Sequence, residues 1–428
     1  MKKSKQSTLF SVLFMGLGQI NNKELFKGIM FAIIEITAIF NIRYFTQSIK
    51  GLISLGDTGQ HFVDGLAVGD HSIFLMIEGL IAIIILALII LVYIFNIYDA
   101  KRLGKCIEKG DKPLNTKGFL TYAWEKYFPH ILITPAFLFT SFFILLPIVF
   151  TVAVAFTNFS SPNHLPPRNL VDWVGFENFK QLVTMKIWNN TFIIVGIWTI
   201  IFAVVSTTCN FFVGLFLALI TNVKGIKFKK FFRTIFLLPY AIPAFISLLI
   251  MRLAFSGPGP VNNIISSLGM KKVPFFTDPM LAKIMVLAIT IWLGAPYFMA
   301  LMSGILTNID KSLYEASEID GATKWQQFTK ITLPLVLFQT MPLLTMTFAF
   351  NFNNFAMIYL LTDGNPVNGS LKYAGDTDIL ISWIYKMTKD QNQYYMASVI
   401  TIILFIFVAS ISAYSFSKTK SFKDEEMM

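Results

Sequence analysis

The chain has 428 residues, of which 55 % are hydrophobic, 15 % aromatic and only 14 % charged, with 44 Phe and a mean hydropathy of +0.64. Soluble domains carry about 25 % charged residues, so this composition excludes an ordinary soluble enzyme and a disordered chain. The net charge of +11 does not point to nucleic acid, because the basic residues sit in short segments between apolar runs, where membrane topology expects them.

Residues 1–24 mix polar, apolar and Gly positions without a small-residue cleavage site, so the first apolar run is expected to stay as a signal anchor. A bilayer core takes ~20 apolar residues as a helix. Eight runs qualify: 25–45, 72–96, 131–156, 191–221, 234–254, 282–306, 335–361 and 395–416. They are continuous and lack period-2 alternation, which favours helices over barrel strands. Pro135, Pro147, Pro239, Pro243, Pro296 and Pro342 fall inside runs and are tolerated where neighbouring helices cover the freed carbonyls. Glu35 and Glu78 lie in the first two runs with no matching buried Lys or His, so they read as satisfied or interfacial rather than as a proton relay.

An even number of spans puts both termini on one side. The termini and the alternate loops that share their side hold 23 of the 35 Lys and Arg, which makes that side cytoplasmic. Segments 46–71, 157–190, 255–281 and 362–394 then face outward, and 97–130 is the largest inner loop. The prediction is an all-α polytopic membrane protein with eight transmembrane helices. Cys106 and Cys209 suggest no disulfide framework. His61, His71, His130 and His164 have no metal-ligand spacing. There is no phosphate loop, Rossmann fingerprint or nucleophile motif, so no catalytic residue, metal or cofactor of its own is expected.

In the sixth run, Trp292-Leu293-Gly294-Ala295-Pro296-Tyr297 combines a thinned helix at Gly294, a carbonyl freed by Pro296 and a phenol. The following inner loop, 307–334, reads as a helix–turn–helix. Asp310 caps the first helix, on which Leu313, Ala316 and Ile319 fall near one face. Gly321 suits the left-handed terminating position. Thr323 and Gln326 form a capping box for a second helix carrying Trp325, Phe328 and Ile331, and Pro334 marks the next span. From the residues alone this is either a hairpin packed on its own bundle or a docking knob for a soluble partner. In the seventh run, Thr347, Phe350, Asn351 and Asn354 lie at i, i+3, i+4 and i+7 and gather a hydroxyl, a ring and two amides on one helix face. Such amides serve either as interhelical glue or as ligands for a neutral, hydroxyl-rich molecule. No Lys or Arg stands in these two stretches, which argues against an anion.

Glu315-Ala316-Ser317, three residues, Gly321, nine residues, Ile331, one residue and Leu333-Pro334 are similar to the EAA loop of ABC importer permeases. Ser317 replaces the usual second Ala, and Asp320-Gly321-Ala322 has the form common in carbohydrate importers. The resemblance implies that this loop, Phe328 included, docks in a cleft of an ATP-binding subunit and transmits ATP-driven closure. Trp292-Leu293-Gly294, Phe348 to Phe355 and Leu360-Leu361-Thr362 resemble the larger-subunit maltose/maltodextrin permeases. That resemblance covers about 125–428 and is densest at 282–362. It implies a MetI-like six-helix permease core at 131–416, preceded by residues 1–130 with two helices and a basic loop, and followed by a cytoplasmic tail at 417–428. It further implies that Leu293, Gly294, Tyr297, Thr347, Phe350, Asn351 and Asn354 contact a malto-oligosaccharide within the membrane.

The implied partners are a second permease forming a heterodimer, two ATP-binding subunits that hold ATP and Mg, an extracytoplasmic sugar-binding lipoprotein, and membrane lipid. Two departures stand out. The 157–190 segment lacks the large outer insertion of the best-known maltose permease. The Gly16-Leu17-Gly18-Gln19-Ile20-Asn21 stretch is typical of Gram-positive relatives, although a Gly-rich surface turn explains it physically. Galacto-oligosaccharides or arabinogalactan fragments are alternative cargoes. An ion-coupled secondary sugar transporter is the alternative from another class.

Overall fold

A computed structural model describes residues 2–64, 66–110, 116–165, 169–223 and 227–418; most of the expected tail at 417–428 lies outside them. Among the described residues, six helices are long and apolar enough to cross a membrane, and two bent pairs bring the number to eight if each is one span. The chain divides into two compact units, 1–175 and 176–428.

The N-terminal unit contains α1 (Lys3–Leu13), α2 (Leu17–Asn21), α3 (Leu25–Phe40), α4 (Ile42–Ser54), a small antiparallel hairpin of β1 (His61–Val63) and β2 (Leu66–Val68), and α5 (Ser72–Glu108). Then come α6 (Thr116–Thr140), a π-helical turn at Ser141–Leu145, and α7 (Leu146–Ala155). The first run is not one straight span: α3 and α4 meet at 54°, across Asn41, whose side chain donates to Thr37 O at 2.8 Å. Short amides compete with the backbone in this way and interrupt helices. The expected loop at 97–130 is largely helical, because α5 continues to Glu108 and α6 begins at Thr116, and the expected loop at 46–71 starts with the end of α4 and carries the β1–β2 hairpin.

The Gly-rich N-terminal stretch is buried rather than a surface turn. Gly16 adopts a positive φ of +85°, and a Cβ there would stand 2.0 Å from Gly28 O. Gly16 N donates to Asn96 Oδ1 at 3.1 Å, and Gln19 Nε2 donates to Asp99 Oδ2 at 3.2 Å. Lys27 pairs with Glu24 and with Asp99, the latter at 2.8 Å. Glu35 accepts the Met15 N–H, so this carboxylate is satisfied within the fold, as expected.

The C-terminal unit begins with α8 (Glu177–Thr184), α9 (Lys186–Asn222), α10 (Lys229–Ala241), α11 (Ala244–Ala254) and α12 (Pro260–Ser267). It continues with α13 (Pro279–Asn308), α14 (Lys311–Ile319), α15 (Lys324–Gln327), a π-helical turn at Phe328–Thr332, α16 (Leu333–Phe352), α17 (Phe355–Leu361), α18 (Leu380–Lys389) and α19 (Tyr394–Lys418). Pro135, Pro296 and Pro342 are accommodated inside helices. Pro243 is not: α10 and α11 are bent by 91°. Its missing N–H and its ring end α10, and Ile242 before it is extended. Two apolar cores hold the unit together. One gathers Trp198, Phe202, Leu248, Val286, Ile289 and Ile358; the other gathers Phe211, Leu215, Phe298, Met302, Ile309 and Val336.

Candidate functional site

Helices α9 and α13 approach closely at Gly214, where a Cβ would stand 2.4 Å from Phe298 Cβ. Along α9, Trp198 and Phe202 belong to the first core and Phe211 and Leu215 to the second. Between them lie the buried polar residues Ser206, Thr207 and Asn210. Along α13, Val286 and Ile289 precede, and Phe298 and Met302 follow, a stretch holding Thr290 and Gly294. Both helices therefore interrupt their apolar packing at one level. There a cavity of about 480 Å³ opens, within the ~300–1,000 Å³ typical of ligand pockets.

Leu293, Gly294, Tyr297, Thr347, Phe350, Asn351 and Asn354 all line this one cavity. The route differs from the expected single helix face. Helix α16 ends at Phe352, and Asn354 is the N-cap of α17, its Oδ1 accepting from Met357 N at 3.3 Å. Asn353 Nδ2 turns back to Ala349 O at 3.1 Å. The adjacent amides of Asn353 and Asn354 compete with the backbone ladder and break it, so Asn354 enters the cavity from a second helix. Asn351 is buried and donates to Thr207 Oγ1 at 3.0 Å. It therefore ties α16 to α9 while also lining the cavity.

The cavity also takes in residues that the sequence reading passed over, chiefly Asn210, Tyr240 and Thr290. Tyr240 comes from α10, just before the break at Pro243, and its ring lies 5.8 Å from that of Tyr297 at 36°. The paired prolines around Tyr240 were the available signal for a broken helix. Asn210 is an amide in an apolar run, the same signal that identified Asn351. Among the described lining residues there is no Asp, Glu, Lys, Arg or His. The walls offer aromatic faces, amides and hydroxyls, a combination suited to a neutral molecule with alternating C–H and O–H surfaces.

The 307–334 segment forms the expected hairpin. Asp310 Oδ1 accepts from Ser312 N at 2.9 Å and starts α14. Gly321 has φ +74°. Thr323 and Gln326 complete the capping box of α15. Its second helix does not stop at Pro334 but runs through the π turn into α16. Phe328 packs against the second core, whereas Trp325, its ring 5.5 Å from that of Phe328, is 70 % exposed. Leu313, Ala316 and Ile319 face solvent, Ile319 at 88 % exposure. Ser317 binds the two arms together, donating to Tyr314 O at 2.7 Å and accepting from Gln327 Nε2 at 2.8 Å. Glu315, Asp320 and Gly321 are exposed, Ala322 and Ile331 half-buried. Leu333 packs on the second core.

Residues 210–421 match the model of the family described as binding-protein-dependent transport system inner membrane component. Over 425 residues the chain is 38 % identical to the galactooligosaccharides transport system permease protein GanP of Bacillus subtilis (strain 168), covering 98 % of this chain and 99 % of that one. It is 37 % identical over 438 residues to the maltodextrin transport system permease protein MdxF of the same organism, covering 100 % and 98 %. The fold is similar to a chain in the crystal structure of a bacterial ABC transporter involved in the import of the acidic polysaccharide alginate, with a TM-score of 0.57 and 21 % identity over 71 % of this chain and 98 % of that one. The chain belongs to the family of binding-protein-dependent transport inner-membrane components.

Proposed function

We propose that this chain is the permease subunit of an ATP-driven importer of neutral oligosaccharides, with malto-oligosaccharides as its cargo and the cavity as the point of passage. The observation that carries this reading is the uncharged cavity, walled by Tyr240, Tyr297 and Phe350 and by the amides of Asn210, Asn351 and Asn354. An acidic glycan such as alginate needs cationic partners, and the described lining residues include none. Relatives named for maltodextrin and for galactooligosaccharides support a neutral cargo and make galacto-oligosaccharide the second reading.

In this reading, ATP and Mg²⁺ are held by two separate ATP-binding subunits, and the chain has no ATPase site of its own. An extracytoplasmic binding lipoprotein delivers the sugar, and a second permease completes a heterodimer in the plasma membrane of a Gram-positive cell, both termini inside. The hairpin is the coupling element. It joins the end of α13 to the start of α16, the helices that carry Leu293 and Thr347, each ~22 Å along its helix from the hairpin. A push on the exposed Leu313–Ile319 face therefore reaches the cavity through two rigid rods, and alternating access follows as a population shift.

The test is uptake of labelled maltotriose, galactobiose and alginate trisaccharide in a strain that has lost this gene, with the gene restored or not. Restored maltotriose uptake that requires the ATPase, with KM raised at least ten-fold by Phe350→Ala, is the expected result. Uptake that survives loss of the ATPase and collapses with the ion gradient rejects the reading.

A further inference from the structure

Asn210 sits on α9 at 3 % exposure and lines the cavity, yet its side-chain oxygen has no hydrogen-bond partner among the described residues. Buried side-chain polar atoms are paired in the large majority of cases. Its neighbour Asn351 obeys that rule, with its Nδ2 committed to Thr207. A second observation concerns the facing helix. A Cβ at Gly294 would stand 2.5 Å from Asn210 Nδ2 and 2.7 Å from both Cγ and Oδ1. Any residue larger than glycine at 294 would take the place that the amide occupies.

We propose that Asn210 is a further substrate-binding residue, that its amide takes a sugar hydroxyl, and that Gly294, itself on the cavity wall, provides the room for that amide. This deepens, and rests on, the reading of the cavity as the sugar site. The unpaired atom is an acceptor, so only a donor completes it, and a sugar hydroxyl is such a donor.

Asn210→Leu keeps the branched shape and removes both polar atoms. With the complete importer in cells, its uptake KM for labelled maltotriose is expected to rise at least ten-fold at unchanged membrane abundance. An unchanged KM overturns the assignment. Asn210→Thr and Asn210→Val have nearly the same shape as each other, so their comparison decides the matter even if the Leu variant fails to accumulate. A higher KM for Val than for Thr supports the proposal, and equal values overturn it. Phe350→Ala reports on the cavity as a whole. If it raises KM while Thr and Val coincide, only Asn210 is withdrawn; if it leaves KM unchanged, the sugar site falls with it.

Discussion

In the N-terminal unit, Lys27 lies at 6 % exposure between Glu24 and Asp99, and Asp99 also takes Gln19 and Arg102. Asn96 exchanges bonds with Gly16 and Ser11. In the C-terminal unit, Asn210 is as deeply buried, but its oxygen goes unpaired beside a cavity. The first region carries buried charge and answers it internally; the cavity wall of the second carries no charge among its described residues and leaves an acceptor open. Polar groups that serve the fold are closed off by their neighbours, because an unpaired buried charge is too costly to keep. A neutral amide costs little enough to be left for a ligand.

This contrast predicts opposite responses to substitution. Lys27→Met takes the ion partner from the buried Glu24 and leaves Asp99 to Gln19 and Arg102, and breaking such a group costs about 3–5 kcal/mol. For a unit of this size that corresponds to a fall of about 10 °C in unfolding midpoint, measurable on the purified protein in detergent. Uptake KM in the protein that survives should match wild type. A midpoint within 2 °C of wild type would show that the ion group contributes little and would remove half of the comparison.

Gly294→Ala should do the reverse. The added methyl displaces the Asn210 amide, and overpacking costs about 1–3 kcal/mol, partly offset by the ~0.5–1 kcal/mol that Ala gains over Gly in a helix. The unfolding midpoint should move by less than about 6 °C. Uptake KM should rise about ten-fold, equivalent to ~1.4 kcal/mol of lost binding. A large thermal shift with normal KM would place Gly294 among the residues of the fold and not of the site.

What the sequence disclosed follows the range of the interactions. The Asp310 cap, the Gly321 turn and the Thr323–Gln326 box depend on residues two or three apart, and each stands where the sequence placed it. Of the seven cavity residues, Tyr297, Thr347, Asn351 and Asn354 were identifiable by type, since polar groups in apolar runs are conspicuous; Gly294 and Phe350 stood beside them, and Leu293 came only from the resemblance to maltose permeases. Their assembly was not identifiable. Apolar periodicity runs straight through Asn353 and Pro243, where backbone competition and a missing N–H break the helices. The Lys27–Asp99 pair joins residues 72 positions apart, and a single sequence shows such residues only as the flanks of two separate spans. Asn210 carried the same signal as Asn351, but it stands alone in its run, whereas Asn351 has two further amides beside it.

The hairpin supplies a third setting, in which Asp310 and Glu318 are exposed yet partnered, and it should respond least. Asp310 is held below the usual carboxylate range by the backbone N–H of Ser312, and Glu318 by its hydrogen bond from Lys324 at 2.5 Å. A carboxyl that ionises more readily in the folded form stabilises that form above its unfolded value near 4. That contribution fades as pH falls through the lower folded value. Both groups stay ionised from pH 5 to 8, so the hairpin should be indifferent to pH there and loosen only below about 4. Exposed pairs contribute little, so the loosening should be slight. Hydrogen exchange at residues 311–327, corrected for the intrinsic rate, should give constant protection from pH 5 to 8 and reduced protection at pH 3. Asp310→Asn keeps a capping oxygen and should flatten the part of the change due to the cap. Protection that varies between pH 6 and 8 would mean that another group near the hairpin titrates, and that its exposed charges are coupled to a buried one after all.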